Sequence, residues 1–285
     1  MIRLFVSDLD GTLLNSEHDL SQENRKAVQL LRSKGISFMP ASGRDYHGVQ
    51  MAIEESHLKP KAICLNGAEF YDNDGTLLIS NPLSKESVAV VQNVIDKFEL
   101  DVDYYTSLGR CILYAGDDLK THLIERIKKI GPQEMREDPL RFMERIKFFD
   151  TLIVEKDMSK ILTHTILKIE MRFDDLKKRE QVLEELKTIE GIITTSSSLH
   201  NLEINSIHAT KGNMVEQVCE IYGYKKEEVI VIGDGMNDIS MLEKFPNSYA
   251  MGQAQQEVKD VAKFEVESNT NDGVAQLIYR ILAQM

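Results

Sequence analysis

Short apolar runs that end abruptly in acidic or small residues constrain the fold of this 285-residue chain more than any other feature. The first run, residues 2–6, is followed by Ser7 and then by Asp-Leu-Asp-Gly, and "ISFMP" is followed by Ala-Ser-Gly-Arg. Between them lies a predicted helix with Ser21 as its N-cap and Gly35 just beyond its end. Runs of this length are typical of strands buried on both faces of a parallel sheet. Because "KAICLNGA" adds a third strand, the pattern predicts β-α-β-α-β.

The same alternation returns near the C-terminus. The segment "TKGNMVEQVCEIYGY" has a helical apolar stripe closed by Gly223, and "EVIVIGDGMND" is a strand that ends in glycines and acids. The segments "NSYAMG" and "KFEVES" add two short strands before a final amphipathic helix. The outer parts of the chain therefore predict one α/β fold, a doubly wound, Rossmann-like parallel sheet.

The middle of the chain has a different pattern. A helix is predicted from about Ser84, a hairpin around Leu108 and Gly109, and later strands in "ILKIEMRF", "GIITTSSS" and "NLEINS". These elements resemble an α+β domain with antiparallel strands and helices on one side. We therefore expect an inserted domain, residues 84–205, within a core domain made of residues 1–83 and 206–285.

Composition narrows the range of partners. Acidic residues outnumber basic ones 46 to 34, which gives a formal charge of −12, so nucleic acid is not an expected partner. Cys64, Cys111 and Cys219 are scattered and are expected to be buried apolar residues in a reducing compartment. Neither a signal peptide nor a membrane span is recognisable. We expect a cytoplasmic protein without a membrane partner, a monomer or a weak homodimer.

Polar residues follow the predicted strands at ends that would share one edge of the sheet, where open parallel sheets bind ligands. Taken singly, the Asp-Gly and Ser-Gly pairs are also ordinary turn sequences, and an Asn or Asp at the start of a helix is also an ordinary cap. Taken together, these interpretations do not explain why acids, a hydroxyl and a lysine should gather at one edge. The residues concerned are Asp8, Asp10, Ser42, Gly43, Lys211, Asp234, Asn237 and Asp238.

The charges at this edge predict an anion and a cation. Lys211 lies in the first turn of a helix, at the positive end of its dipole, which favours an anion such as phosphate nearby. Two carboxylates about 5 Å apart repel by about 3 kcal/mol at an effective dielectric constant near 20. A divalent cation removes this repulsion, and a donor set of oxygens alone favours Mg²⁺.

Four motifs resemble, in this order, those of the haloacid dehalogenase superfamily of phosphohydrolases: "DLDGT" (8–12), "SGR" (42–44), "TKG" (210–212) and "GDGMND" (233–238). The insertion between the second and third motifs and "CLNGA" (64–68) resemble the Cof-type branch. The resemblance implies a Mg²⁺-dependent phosphatase of small phosphorylated metabolites, such as sugar phosphates, FMN-like or pyridoxal phosphate-like compounds. It also implies that the inserted domain is a cap that closes over the site and recognises the leaving group.

The same resemblance implies roles for individual residues. Asp8 is the expected nucleophile, which forms an aspartyl phosphate, and an ionised carboxylate can attack phosphorus without a helping base. Asp10 is the expected general acid and base, provided that its surroundings favour its protonated form at first. The phosphate is expected to contact Leu9 and Gly43 through their amides, and Ser42, Lys211 and Asn237. Mg²⁺ is expected to bind Asp8, the carbonyl of Asp10 and Asp234, with Asp238 in support, directly or through water.

Two alternatives stay open at this point. A phosphomutase of the same superfamily would return the phosphoryl group to its substrate, although such members usually have a small helical cap. A signalling receiver, phosphorylated on an aspartate, would need neither the insertion nor the second aspartate. In the inserted domain, sheet packing or solvent exposure is favoured over substrate contact for Tyr104, Tyr105, Arg110, His200 and Asn201.

Overall fold

A computed structural model describes residues 1–54, 58–131, 136–145 and 148–284. The chain forms two compact units. The core unit comprises Met1–Ser80 and His208–Met285, and the inserted unit comprises Asn81–Ile207. The inserted unit thus extends slightly beyond the predicted segment 84–205 at each end. The final strand of this unit ends at Ser206, which the prediction placed in the core.

The secondary structure alternates strands and helices along most of the chain. The described strands are β1 (Leu4–Ser7), β2 (Ser37–Pro40), β3 (Ala62–Cys64), β4 (Glu69–Tyr71), β5 (Leu77–Ser80), β6 (Val102–Thr106), β7 (Gly109–Leu113), β8 (Leu152–Glu155), β9 (Ile166–Arg172), β10 (Ile192–Thr195), β11 (Asn201–Ser206), β12 (Val229–Gly233), β13 (Asn247–Ala250) and β14 (Phe264–Glu265). The described helices are α1 (Gln22–Ser33), α2 (Tyr46–Ile53), α3 (Lys85–Lys97), α4 (Leu119–Ile130), α5 (Pro139–Arg145), α6 (Met158–Ile161), α7 (Leu176–Leu186), α8 (Lys211–Tyr222), α9 (Ile239–Lys244), α10 (Gln256–Val261) and α11 (Gly273–Ala283).

The core unit is built on a parallel sheet with the strand order β14-β13-β12-β1-β2. Leu4 and Val6 of β1 pack on the face that carries α8 and α9, together with Met214 of α8. Phe5 points to the opposite face, since side chains alternate along a strand, and its ring stacks on Phe38 of β2 with the centroids 6.2 Å apart. The predicted doubly wound α/β core is confirmed.

The third predicted strand does not continue this sheet as a ladder. A single parallel bridge, Ala41 to Ile63, joins it to the end of β2. Strand β3 instead begins a small antiparallel sheet with the order β3-β4-β5, whose second and third strands were not predicted. The reason is that Leu65, Asn66 and Gly67 all have positive φ, which turns the chain back on itself after only three strand residues.

The inserted unit contains a six-stranded sheet with the order β10-β11-β9-β6-β7-β8. Its pairs are antiparallel except β7 with β8, which are parallel. Helices α3 and α7 pack on the face that carries Tyr104 and Ile169, whereas Leu123 of α4 packs with Ile112, which points to the other face. The prediction of helices on one side only is therefore wrong, and so is that of a wholly antiparallel sheet.

The five residues considered as substrate contacts in the inserted unit have partners within it. The Tyr104 hydroxyl donates to Gln92 Oε1 (2.8 Å), and the Arg110 guanidinium pairs with Asp103 (2.7 Å). Both contacts are consistent with the preference for sheet packing. The remaining three of these five residues, Tyr105, His200 and Asn201, also form hydrogen bonds with partners inside this unit.

Local sequence signals account for several element ends. Ser21 Oγ accepts a hydrogen bond from Asn24 N (3.0 Å) and caps α1, as predicted. Gly223 adopts φ +64° and ends α8, where a left-handed residue costs glycine little. The three cysteines are free and buried, which confirms their expected place in the core. Within the described part of the chain, the helices are all too short or too polar to span a bilayer.

Candidate active site

The turn after β1 places two aspartates differently. Residues 9–13 form one wide helical turn in which Asp10 and Gly11 depart from helical geometry. Gly11 has φ +78°, and a Cβ there would lie 2.3 Å from an oxygen of Asp234. Glycine thus allows this turn to approach the end of β12. Asp8 is buried, whereas the side chain of Asp10 is 39% exposed.

Lys211 joins two of the predicted aspartates. Its Nζ donates to Asp8 Oδ1 and to Asp238 Oδ1, each at 2.6 Å, and its side chain is fully buried. Burial alone would lower the pKa of Lys211, but Asp238 and Asp8 outweigh it and raise that pKa. The ammonium group is therefore charged, and carboxylates supply the anionic neighbour that its place at the start of α8 requires.

Asp238 is held by the backbone as well as by the lysine. Its Oδ2 accepts from the amides of Asp234 (3.0 Å) and Gly235 (2.9 Å), while its Oδ1 accepts from Lys211. Gly233 leaves room for this arrangement, because a Cβ there would lie 2.3 Å from Asp238 Cγ. The Asp238 carboxylate therefore has a fixed orientation and a partner on each oxygen.

Three carboxylates form an all-oxygen cluster suited to a hard cation. One oxygen from each of Asp8, Asp234 and Asp238 can lie within 4.8 Å of the others. Burial, followed by the charge of Asp238, raises the pKa of Asp234 to about 6. Burial also raises the pKa of Asp8 well above its usual range, with Lys211 opposing it. The carboxylates are thus costly to ionise together, and a bound divalent cation would relieve that cost.

Asp10 has different partners from Asp8. Arg44 Nε donates to its Oδ2 (2.8 Å) and Arg44 Nη2 to its Oδ1 (2.5 Å), and His18 Nδ1 lies 3.0 Å from Oδ1. Burial alone would raise the pKa of Asp10, but Arg44 and His18 hold it well below its usual range. The proviso that its surroundings favour the protonated form is therefore not met: they favour the carboxylate.

The remaining predicted phosphate contacts come from the ends of β2, β1 and β12. Ser42 is buried and its amide donates to Ile63 O (2.9 Å), which ties the end of β2 to β3. Asn237 Nδ2 donates to Asn66 Oδ1 (3.0 Å). Leu9 is buried in the turn after β1, and Gly43 is half-buried directly after Ser42.

Four further residues at this edge were not predicted to act there. Arg44 and Asn66 belong to the "SGR" and "CLNGA" segments, so a motif marked their positions without indicating a role. Thr12, whose Oγ1 donates to Asp234 Oδ1 (2.8 Å), belongs to "DLDGT". His18 carried no sequence signal, since only the folded loop brings it to Asp10.

The chain is similar to known proteins over nearly its whole length. A family model described as haloacid dehalogenase-like hydrolase matches residues 5–278. The 5-amino-6-(5-phospho-D-ribitylamino)uracil phosphatase YcsE of Bacillus subtilis is 28% identical and aligns over 97% of this chain and 94% of that protein. Phosphatase YwpJ of the same organism is 26% identical, over 99% of this chain and all (100%) of that protein.

The fold of this chain is also similar to that of a solved structure. A solved structure of a haloacid dehalogenase-like hydrolase from B. subtilis matches with a TM-score of 0.84 at 23% identity, covering 98% of this chain and 99% of that one. At that identity the match concerns the fold, and the family model, which spans nearly the whole chain, supplies the affiliation. The resemblance predicted from the four motifs is thereby confirmed, and this chain belongs to the haloacid dehalogenase-like hydrolase family.

Proposed function

We propose that this chain, a phosphatase of the haloacid dehalogenase family, hydrolyses phosphoric monoesters of small metabolites with Mg²⁺ through an aspartyl phosphate on Asp8. The observation that carries the proposal is the environment of Asp8. It lies at the end of a central parallel strand, next to the buried Lys211 ammonium and the carboxylates of Asp234 and Asp238. This combination suits an anionic ester and a carboxylate nucleophile.

In the first step, a carboxylate oxygen of Asp8 forms a bond to phosphorus while the bond between phosphorus and the ester oxygen breaks. Lys211, Ser42 and Asn237, with the amides of Leu9 and Gly43, are proposed to hold the phosphoryl oxygens. Phosphoryl transfer depends mainly on such positioning and on stabilising charge at those oxygens. In the second step, water attacks the aspartyl phosphate, which releases inorganic phosphate and restores Asp8.

Asp10 is proposed to move the protons of both steps. It gives a proton to the departing oxygen and later takes one from the attacking water. Because Arg44 holds its pKa well below the usual range, the ionised form suits the second step directly. Protonation for the first step has to overcome the ion pair with Arg44, so we expect that pair to change as the ester binds.

The carboxylate cluster fits the proposed Mg²⁺. Asp8 and Asp234 would hold the ion through their side chains, together with the backbone carbonyl of Asp10. Asp238 would act through water, because both of its carboxylate oxygens already accept hydrogen bonds. When bound, the ion would neutralise the cluster and draw negative charge from the phosphoryl oxygens.

The substrate class rests on the relatives and on the inserted unit. YcsE is named for a phosphorylated ribitylaminouracil, so esters of that kind belong in a test panel beside sugar phosphates, FMN and pyridoxal phosphate. The inserted unit is proposed to be the cap that recognises the leaving group. A cytoplasmic location and a monomer or weak homodimer remain predictions.

The test is phosphate release from such a panel by the purified protein, with Mg²⁺ and with EDTA. We expect at least one ester to be hydrolysed and EDTA to abolish the activity. Asp8→Asn is expected to lose more than about 10³-fold in kcat, because the amide is a poor nucleophile.

Two outcomes would overturn the assignment. Full turnover by Asp8→Asn would exclude Asp8 as the nucleophile, and product isomers without free phosphate would indicate a phosphomutase. The matched control is Asp74→Asn, which changes an exposed carboxylate in the loop before β5 and is expected to retain wild-type activity.

A further inference from the structure

The carboxylate of Asp10 is clamped by side chains from two separate segments. Arg44, after β2, contacts both of its oxygens, and His18, from the loop before α1, contacts Oδ1. An ionised carboxylate only accepts hydrogen bonds, so the contact with His18 places a proton on Nδ1 of the imidazole. Among the described residues, Oδ1 thus accepts two hydrogen bonds and Oδ2 accepts one.

The loop that carries His18 is built to present it. Asn15 Oδ1 accepts from the amides of Glu17 (2.9 Å) and Asp19 (3.0 Å), and the His18 amide donates to Asn15 O (3.1 Å). A bridge between Leu14 and Leu20 closes the loop.

Within this loop His18 has φ +59°, in the left-handed region that is unfavourable for a residue with a Cβ. The loop therefore holds His18 in an unfavourable backbone conformation while its ring contacts Asp10. Glycine would adopt this backbone conformation with less strain, but it would lack the imidazole. Strained residues of this kind cluster where a side chain must be held for function.

We propose that His18 is a positioning residue for Asp10, which fixes the carboxylate so that Oδ2 is the oxygen that exchanges protons with the leaving group and with water. The inference rests on the proposed function, because it concerns the residue assigned to proton transfer. His18 acts through Asp10 and does not itself touch the ester. A displacement of a catalytic group by about 1 Å can cost on the order of 100-fold in rate, so a second fixed contact has a large effect.

The test compares His18→Gly with His18→Asn. Glycine suits φ +59° and removes only the side chain, so the loop is expected to keep its conformation. Asparagine also tolerates this region and offers an N–H close to the place of Nδ1. Glu99→Gly is the matched control, since Glu99 is an exposed residue of the inserted unit with φ +47°.

The readout is kcat/KM with Mg²⁺ for phenyl phosphate and for 2,4-dinitrophenyl phosphate. Phenolate needs protonation as it leaves, whereas dinitrophenolate leaves as a stable anion, so only the first ester depends on proton donation. For His18→Gly we expect a loss of about 10-fold with phenyl phosphate and less than about 2-fold with the dinitrophenyl ester. His18→Asn is expected to recover most of the loss, and Glu99→Gly to match wild type.

The outcomes separate this inference from the proposed function. Equal losses on the two esters, no loss on either, or no recovery with asparagine would overturn the role of His18 while phosphatase activity of the wild type stands. Failure of the wild type to hydrolyse either ester, or any ester of the metabolite panel, would overturn the proposed function itself, and the role of His18 with it.

Discussion

Asp8 and Asp10 show that a neighbouring cation does not by itself decide whether the pKa of a carboxyl group rises or falls. Both belong to the same motif and have a cation beside them, yet Asp8 has a raised pKa and Asp10 a lowered one. At Asp8, burial and then the neighbouring carboxylates outweigh Lys211, whereas at Asp10 burial is outweighed by the contacts with Arg44 and His18. Residue type and spacing alone do not distinguish these two environments.

A buried cluster of ion pairs in the inserted unit allows the effect of neighbouring cations on a carboxylate to be tested by measuring the free energy of unfolding. Asp103 is 1% exposed and pairs with Arg110 (2.7 Å) and Arg126 (2.8 Å). Burial alone would raise the pKa of Asp103, but the two guanidiniums outweigh it and hold that pKa well below the usual range. Asp103→Asn is expected to lower the free energy of unfolding at pH 7 by about 3 kcal/mol, because it removes the buried carboxylate with which both Arg110 and Arg126 pair.

The pH dependence of this difference follows from the lowered pKa. A group with a lowered folded-state pKa stabilises the fold above its unfolded pKa, near 3.9, and loses that contribution as the pH falls towards the folded value. The gap between wild type and Asp103→Asn should thus be constant from pH 5 to 8 and shrink below about pH 4. Urea unfolding measures it, with Asp117→Asn, an exposed acid, as the control. A gap that widens in acid would contradict this explanation.

At the scale of elements, close backbone contacts bring the ends of strands and helices together. Gly67, after β3, has φ +103°, and a Cβ there would lie 2.3 Å from the carbonyl oxygen of Thr210, the N-cap of α8. This contact sets Asn66 near the end of β12, where it accepts from Asn237, and holds the start of α8 that carries Lys211. The "CLNGA" segment therefore has a packing role at the candidate site.

Comparing alanine variants of two glycines separates the energetic effect of this contact from the cost of the left-handed backbone conformation. Gly35 has φ +80° but open space around it, so Gly35→Ala is expected to cost about 1 kcal/mol from the left-handed conformation alone. Gly67→Ala adds the clash with Thr210 and is expected to cost at least about 2 kcal/mol. Denaturant unfolding gives both values. Gly67→Ala should also reduce phosphatase activity, and equal costs for the two variants would show that the contact contributes nothing.

At the scale of the whole molecule, the chain forms two units with separate apolar cores. The carboxylates proposed to bind Mg²⁺ all belong to the core unit, from β1 and from the turn after β12. Strand β1 is an interior strand of its sheet, with β12 on one side and β2 on the other as parallel neighbours. Crossovers from β1 and β12 run in opposite directions along the sheet, which places the cluster at the topological switch point.

Mg²⁺ binding should therefore be detected in one unit only. When Mg²⁺ is added to metal-free protein, amide hydrogen exchange is expected to slow around Asp8 and Asp234 and to stay unchanged in the sheet of the inserted unit. The reason is that a ligand stabilises the parts that bind it. Because the pKa of Asp234 is raised to about 6, the same Mg²⁺ concentration should raise the melting temperature less at pH 5 than at pH 8.

The variant Asp234→Asn is the control for this measurement. It removes one carboxylate of the cluster, so Mg²⁺ should have little effect on its exchange or melting. Slower exchange over the inserted sheet alone, or a wild-type response in Asp234→Asn, would contradict a Mg²⁺ site at this cluster.

The two-part organisation, the parallel core and the strand ends that carry Asp8, Ser42 and Asp234 were all predictable from the amino-acid sequence alone. These features depend on local periodicity and on which residues end an apolar run, which are readable without knowing the contacts. Strands β4, β5 and β8 were missed because they are short, and because positive φ at Leu65 and Asn66 redirects the chain.

The partners of each charged side chain, in contrast, depend on how the folded chain brings distant segments together. Lys211 meets Asp8 across 203 residues of sequence, and Asn237 meets Asn66 across 171, so local patterns carry no information about these pairs. The ionisation of Asp8 and Asp10 depends on burial and on those distant partners, which is why the same "DLD" yields opposite pKa shifts. His18 reaches Asp10 because hydrogen bonds within its loop hold a strained backbone, and that conformation exists only in the folded chain.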